Sequence, residues 1–273
     1  MSERSHIGIK TGTKIEFIYC HHSGSLNENG VLLNMFYKDV NKVQELISLG
    51  DISSLGYNIK SPNGFSKLSD YAKNQVNCLM DTHVKTSFVY AYSRDKGEKD
   101  VGKPSKTNLK NFLLHGEEYN YLFDVDKKKW YLCYMVQGKK VVYDLNSILT
   151  NKDYFDKCVL EVGIEDDFQR IQEKIAMYKA DLKVDIITKY NTFLRKNDIF
   201  DVEIDYVQKD GERMFGLLKR EVGKQRRKVV MKHPCIGYLC YELFSHYKGA
   251  YFIYNRLSCA ETCNLIDGDI PLF

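Results

Sequence analysis

The chain of 273 residues has little proline and no long apolar run. It contains 4 Pro and 1 Trp, and 44% of its residues are hydrophobic, which excludes a disordered or collagen-like chain. Nowhere does it approach the roughly eighteen consecutive apolar residues that suggest a membrane-spanning helix. The first residues contain no apolar signal core either, so we expect a cytoplasmic protein with no membrane contact.

The common signatures of catalysis and metal binding are also missing. The sequence has no Gly-x-Gly-x-x-Gly, Walker or Gly-x-Ser-x-Gly motif. Its 8 cysteines are scattered, mostly within apolar runs, which is typical of free buried thiols in a reducing compartment. The pairs Cys235/Cys240 and Cys259/Cys263 lack the two-residue spacing of a zinc knuckle. We therefore predict no metal site and no cofactor.

The pattern of the first half predicts a mixture of strands and helices. Residues 5–9 and 14–20 alternate as a hairpin, with a turn at Gly12. Asp39 is placed to cap a helix that Gly50 would end. A meander of strands at 119–125, 130–136 and 139–145 follows. Because the strands cluster instead of alternating with helices, we expect an α+β fold with mainly antiparallel sheets.

The second half changes character near residue 150. Residues 165–196 contain neither Pro nor Gly, and their apolar residues recur every three or four positions, which predicts one long amphipathic helix. Strands at 199–207, 213–219 and 226–232 and a helix at 235–247 follow. We therefore predict two domains, 1–155 and 156–273, and a homo-oligomer that associates through helix 165–196.

The first candidate site is the run Tyr19-Cys20-His21-His22 at the end of a predicted strand. Adjacent strand residues point in opposite directions, so Cys20 and His22 could share a ligand whereas Cys20 and His21 could not. Two ligands do not make a zinc site. His21 and His22 could act as acid and base in an enzyme, or the run could serve packing and recognition; both interpretations remain open.

The second candidate is Arg94 with its neighbour Asp95, which follows the strand predicted at 87–92. An arginine there could bind a phosphate or carboxylate through two hydrogen bonds. Asp95 and Glu98 could equally satisfy the guanidinium within the loop. The sequence does not decide between a ligand-binding and a local role.

Charge is segregated in the second half of the chain. Seven cations fall within residues 219–232, four of which we single out as partner-binding residues: Lys224, Arg226, Arg227 and Lys228. Such a segment could lie against an acidic protein face or phosphate, or be an ordinary solvated hairpin. The neighbouring acids Asp201, Glu203 and Asp205 alternate along a strand, as expected for a solvated face.

Five segments of the first half stand in a specific order, at 5–9, 17–24, 42–56, 92–98 and 121–131, and include Ile-Tyr-Cys-His and Leu-Gly-Asp-Ile-Ser-Ser-Leu-Gly. Through these segments, residues 5–135 resemble a family of uncharacterised, mainly bacteriophage-encoded proteins. Where the family has an aromatic residue and an acid after Cys-His, this chain has His22 and Ser23. The resemblance implies a phage setting, in which accessory proteins act on host machinery or host immunity.

These observations favour a binding protein over an enzyme. The chain has 20 Tyr, a residue enriched in interfaces, and lacks catalytic motifs. We expect an accessory protein of a phage that inhibits or sequesters a host component, with a host protein complex or a nucleotide signal as its partner. Nucleic acid is a less favoured partner. The alternative is an enzyme that acts on nucleotides or nucleic acid through His21 or His22.

Overall fold

A computed structural model describes residues 3–80, 87–197, 199–209, 211–220 and 227–248. The fold divides into two compact units. The first comprises Met1–Lys60 and Ser87–Lys183, and the second comprises Ser61–Thr86 and Val184–Phe273. This division differs from the boundary near residue 155 that the sequence predicts, because residues 61–86 belong with the C-terminal part and residues up to 183 belong with the first.

Strands and helices are both present, which confirms the α+β class. The strands are β1 (Ser5–Thr11), β2 (Lys14–Cys20), β3 (Ile52–Ser54), β4 (Tyr90–Ala91), β5 (Ser105–Asn108), β6 (Tyr119–Asp124), β7 (Lys129–Val136), β8 (Lys139–Asp144), β9 (Val202–Lys209), β10 (Glu212–Arg220) and β11 (Arg227–His233). The helices are α1 (Val31–Phe36), α2 (Val40–Ser48), α3 (Asp70–Cys78), α4 (Leu109–Leu114), α5 (Leu145–Thr150), α6 (Lys152–Val162), α7 (Phe168–Asp181), α8 (Ile186–Lys196) and α9 (Ile236–Lys248). Single π-helical turns occupy Leu26–Gly30 and Tyr92–Lys96.

The sheet of the first unit is mixed, so the prediction of mainly antiparallel sheets is wrong for it. Its order is β4-β3-β2-β1-β6-β7-β8, and β5 also pairs with β2. β1 lies parallel to β6, with Ser5 opposite Tyr119, and β2 lies parallel to β3. The β2–β3 connection contains α1 and α2, and such crossovers join parallel strands. Local patterns identified the hairpins, but they could not show that a distant strand enters beside β1.

Each face of this sheet is buried by different helices. Ile7, Ile18 and Cys20 belong to a large core that also contains apolar residues of α1, α2, α5, α6 and α7. On the other face, Ile15 and Leu122 pack with Phe112 of α4. The alternation along β1, β2 and β6 therefore separates two layers of side chains, as the period of a strand requires.

The second unit contains a smaller antiparallel sheet in the order β11-β10-β9. Helix α9 packs closely on α3, since a Cβ atom at Gly237 would lie 2.9 Å from Val76 Cγ1. Helix α8 packs along β9, where the Asn191 side chain donates to the Ile204 carbonyl and accepts from the Ile204 amide, both at 2.8 Å. Asn191 thus takes the place of a neighbouring strand at this point of β9.

The predicted continuous helix over 165–196 is wrong. Helix α7 ends at Asp181 and α8 begins at Ile186. Between them, the Asp185 side chain accepts a hydrogen bond from the Thr188 amide and so caps the second helix. Leu182, which the helical pattern places on the apolar face, is 59% exposed. The apolar spacing continues across the break and therefore conceals it.

Candidate functional site

The described residues place several polar side chains at one end of the first unit's sheet. We call His6, Tyr19, His21, His22 and Asp51 the histidine patch. Asp51 precedes β3, His6 lies in β1, and the other three lie at or just after the end of β2. Because β2 runs antiparallel to β1 and β3 starts beside Cys20, these chain segments converge at the same end of the sheet.

Tyr19 is the centre of this patch. Its hydroxyl lies 3.0 Å from His21 Nδ1, and its amide donates to Asp51 Oδ1 at 2.8 Å. Burial raises the pKa of the Tyr19 phenol, so the phenol keeps its proton at neutral pH and is the donor in the pair with His21. A histidine ring that accepts at Nδ1 carries its proton on Nε2. The contact with Tyr19 therefore orients the His21 ring within the patch.

Two further groups are electrically coupled within the patch. Burial lowers the pKa of His6, against opposing effects from the charge of Asp51 and a hydrogen bond with Asn120. Burial also raises the pKa of Asp51. The Nδ1 atom of His6 is buried and has no hydrogen-bond partner among the described residues. The sequence did not single out His6, Asp51 or Asn120, because nothing local indicates that β1, β3 and β6 start or end together.

Cys20 lies on the opposite face from Tyr19 and does not join the patch. It is fully buried, and burial raises the pKa of its thiol to about 11. The thiol donates to the His22 carbonyl at 3.3 Å, and Asn29 Nδ2 lies 3.3 Å from the sulfur. A thiol in this state is neither a nucleophile nor a metal ligand at neutral pH. Its burial agrees with an interpretation as packing.

The other cysteines give no sign of metal binding either. Those with described side chains are free and buried: Cys20, Cys133, Cys158, Cys235 and Cys240. No group of histidine, cysteine and carboxylate side chains within the described residues could hold a metal ion. Cys259 and Cys263 lie outside the described residues.

Arg94 and Asp95 form an internal clasp. Arg94 donates to both carboxylate oxygens of Asp95, at 3.0 and 2.7 Å, to the Ile59 carbonyl at 2.7 Å, and to the Val89 carbonyl. Asp95 is completely buried and also accepts from the Ala91 amide at 2.8 Å. These contacts connect the loop after β4 to two other backbone segments. The guanidinium is occupied by the fold itself, and its binding of an external ligand stays a prediction.

The basic segment coincides with strands β10 and β11 in the part of the chain that is described. Lys228 is exposed and stands directly opposite Lys219, and Arg227 stands opposite Arg220 in the next pair. Arg227 forms an ion pair with Glu203, and Lys219 lies 3.5 Å from Asp201. We call Lys219, Arg227, Lys228 and Lys232 the cationic hairpin. Lys224 and Arg226 lie outside the described residues.

Among the described helices, none has the length and apolar character needed to cross a membrane. Comparison of the chain with protein-family models, curated proteins and solved structures found no match.

Proposed function

We propose that this protein acts by stoichiometric binding and that its cationic hairpin contacts an acidic partner. The single observation that carries the proposal is the register of β10 and β11, which puts Lys219 directly opposite Lys228. Like charges directly opposite each other destabilise a sheet. Asp201 lies 3.5 Å from Lys219, and an anionic partner at the exposed Lys228 would relieve the remaining repulsion and so gain binding energy from it.

The resemblance to phage proteins supplies the proposed setting. In it, the protein is an accessory factor that inhibits or sequesters a component of the host cytoplasm. A component of host immunity is one such target. A nucleotide signal is a second kind of partner, since phosphate is also anionic.

The test is native mass spectrometry of the protein purified gently from bacterial cells. Wild type should carry a bound partner of defined mass and whole-number stoichiometry, which the double variant Arg227→Glu/Lys228→Glu should lose. The matched control is Lys139→Glu/Lys140→Glu, which reverses two exposed neighbouring cations on β8 of the other unit. Equal loss of the partner from both variants would show that net charge, and not the hairpin, governs binding.

A second candidate function is an enzyme acting on nucleotides or nucleic acid. The hydrogen bond between Tyr19 and His21 favours it, because an orienting partner is what a general acid or base requires. Here we expect turnover that falls about 100-fold or more in His21→Ala, with unchanged thermal unfolding. His115→Ala is the matched control, since this exposed histidine after α4 lies outside the histidine patch. A wild-type rate of turnover in His21→Ala would rule out His21 as the acid or base and with it this candidate function.

A further inference from the structure

A small cavity lies within the second unit between α8, β9 and the cationic hairpin. Its volume is about 120 Å³, and the residues used below are Asn191, Arg195, Phe200, Asp201, Glu203 and Arg227, which all line it. Asn191 and Arg195 are four residues apart on α8 and therefore share one side of the helix. Asn191 is held by Ile204 of β9, which fixes this side of α8 against the sheet.

Two features of the wall are not explained by the fold. Arg195 is exposed, and among the described residues it has neither a carboxylate within 4.0 Å nor a hydrogen-bond partner. Phe200 exposes 73% of its surface beside it. Arginine and aromatic residues are the types that dominate binding energy in protein interfaces. Neither side chain stabilises the second unit through a described contact, so both are available to a partner.

The size of the cavity decides against a nucleotide. Pockets for drug-sized and cofactor-sized ligands span about 300–1,000 Å³. A volume of about 120 Å³ corresponds to about four water molecules and accommodates a carboxylate side chain.

The charge of the wall leads to the same conclusion. The cations Arg195 and Arg227 are balanced by the acids Asp201 and Glu203. A polyphosphate would bring several negative charges to a wall that already holds two acids, whereas a single carboxylate brings one and could bind Arg195 through two hydrogen bonds.

From these observations we infer that the cavity receives one aspartate or glutamate side chain of a protein partner, which binds Arg195 while an adjoining apolar side chain of the partner covers Phe200. The inference rests on the proposed binding function and adds the chemistry of the partner: an acidic segment interrupted by apolar residues. Glu203 occupies Arg227 in the unbound protein and is therefore an internal competitor for the incoming carboxylate.

Fluorescence anisotropy with a labelled synthetic peptide, in which glutamates flank a single leucine, tests this site on the full chain. Arg195→Ala should weaken binding about tenfold, the effect of losing a charge-assisted hydrogen bond. Phe200→Ala should weaken peptide binding about fivefold, because part of the apolar surface of the leucine is then no longer buried. Glu203→Gln should strengthen binding about threefold, because it frees Arg227, and a gain of affinity cannot come from misfolding.

The matched control is Lys196→Ala, which removes the adjacent exposed cation of α8 that does not line the cavity. It should change the affinity less than twofold. Equal effects of Arg195→Ala and Lys196→Ala would overturn the site in favour of diffuse attraction. If a labelled oligothymidylate binds more tightly than the peptide and its binding depends on Arg195, the site binds phosphate and the inference is wrong. The absence of peptide binding would also contradict the inference.

The two proposals fail separately. Suppose that Arg227→Glu/Lys228→Glu loses the cellular partner while Arg195→Ala still binds both the partner and the peptide. The proposed contact through the hairpin would then stand, and the inference about the cavity would be wrong.

Discussion

The two units differ in how they treat their charged and polar side chains. In the first unit, buried charges have partners within the fold: Asp95 is completely buried against Arg94, and Asp166 accepts hydrogen bonds from the Tyr119 hydroxyl at 2.7 Å and the Leu26 amide at 3.2 Å. In the second unit, Lys219 stands opposite Lys228, and the ion pairs of Lys219 with Asp201 and of Arg227 with Glu203 are part-exposed. The first unit encloses its charged groups together with their partners, whereas the second keeps its charges at the surface, where we propose that a partner binds.

Aromatic side chains show a related contrast. Every helix of the first unit except α4 takes part in a large core that encloses tyrosines, a tryptophan and many aliphatic residues, and the large apolar side chains that this unit exposes within the described residues are aliphatic, such as Leu160. In the second unit, Phe200, just before β9, and Tyr206 within β9 are exposed by 73% and 40%. Tyr206 is stacked against Phe215 and lies under Arg213, so its exposed ring is held in place. A rigid exposed ring costs little entropy when it binds, which is why the second unit is where we place partner contact.

Breaking the clasp should have the largest effect and tests whether the first unit depends on its buried charges. Arg94→Met keeps an unbranched apolar stem but leaves the Asp95 carboxylate buried with one remaining described hydrogen bond, from Ala91. Removing one partner of a buried pair costs about 3–5 kcal/mol. We expect the free energy of unfolding, measured in urea, to fall by that amount.

The control for this prediction is Lys152→Met, which removes an exposed pair with Asp156 on α6. Such pairs contribute about 0.3–0.5 kcal/mol. A similar small loss in Arg94→Met would mean that Arg94 is not structural and would return it to the list of ligand-binding residues.

An intermediate effect is expected at Asn191 and tests how the second unit protects its sheet. Asn191→Ala removes both hydrogen bonds to Ile204 and leaves an amide and a carbonyl of β9 unpaired. The cost should be about 1–3 kcal/mol, and the uncovered edge should promote association. Urea unfolding and light scattering measure the two effects. Thr192→Ala, on an exposed position of the same helix, is the control and should change neither.

Local signals in the sequence predicted the local features correctly. The Asp39 side chain accepts from the Lys42 amide at the start of α2, and Gly50 has a positive φ of 71° after that helix. Alternation along β2 separated Cys20 from Tyr19 and His21 as expected. These features depend on residues a few positions apart, which is the range over which capping and strand periodicity act.

Contacts between distant segments were not predicted. The parallel pairing of β1 with β6 brings Lys10 within 2.8 Å of Asp124, and nothing near either residue indicates it. The histidine patch was missed in part for the same reason, since His6 and Asp51 come from other strands than Tyr19. Asp185 could have revealed the break between α7 and α8, because an aspartate followed three residues later by a threonine is compatible with a helix start.

The last expected effect concerns Asp166 and tests whether the first unit compensates fully for the burial of this acid. Burial raises the pKa of Asp166 to about 6 from 3.8, so the folded protein holds this proton more tightly than the unfolded chain. Its contribution to stability is therefore complete below about pH 4 and is lost as the pH rises through 6. Asp166→Asn keeps an acceptor for Leu26 but cannot ionise. Relative to wild type, its free energy of unfolding should rise by about 2 kcal/mol between pH 4 and 7.

Tyr119→Phe provides the opposing control. The Tyr119 hydroxyl donates to the ionised carboxylate and holds the pKa of Asp166 down against the effect of burial. Without that donor the pKa should rise further, and the loss of stability should move to higher pH. Urea titrations at a series of pH values follow both variants. If Asp166→Asn runs parallel to wild type at every pH, the pKa of Asp166 is the same in the folded and the unfolded chain, and the fold does not desolvate this carboxylate.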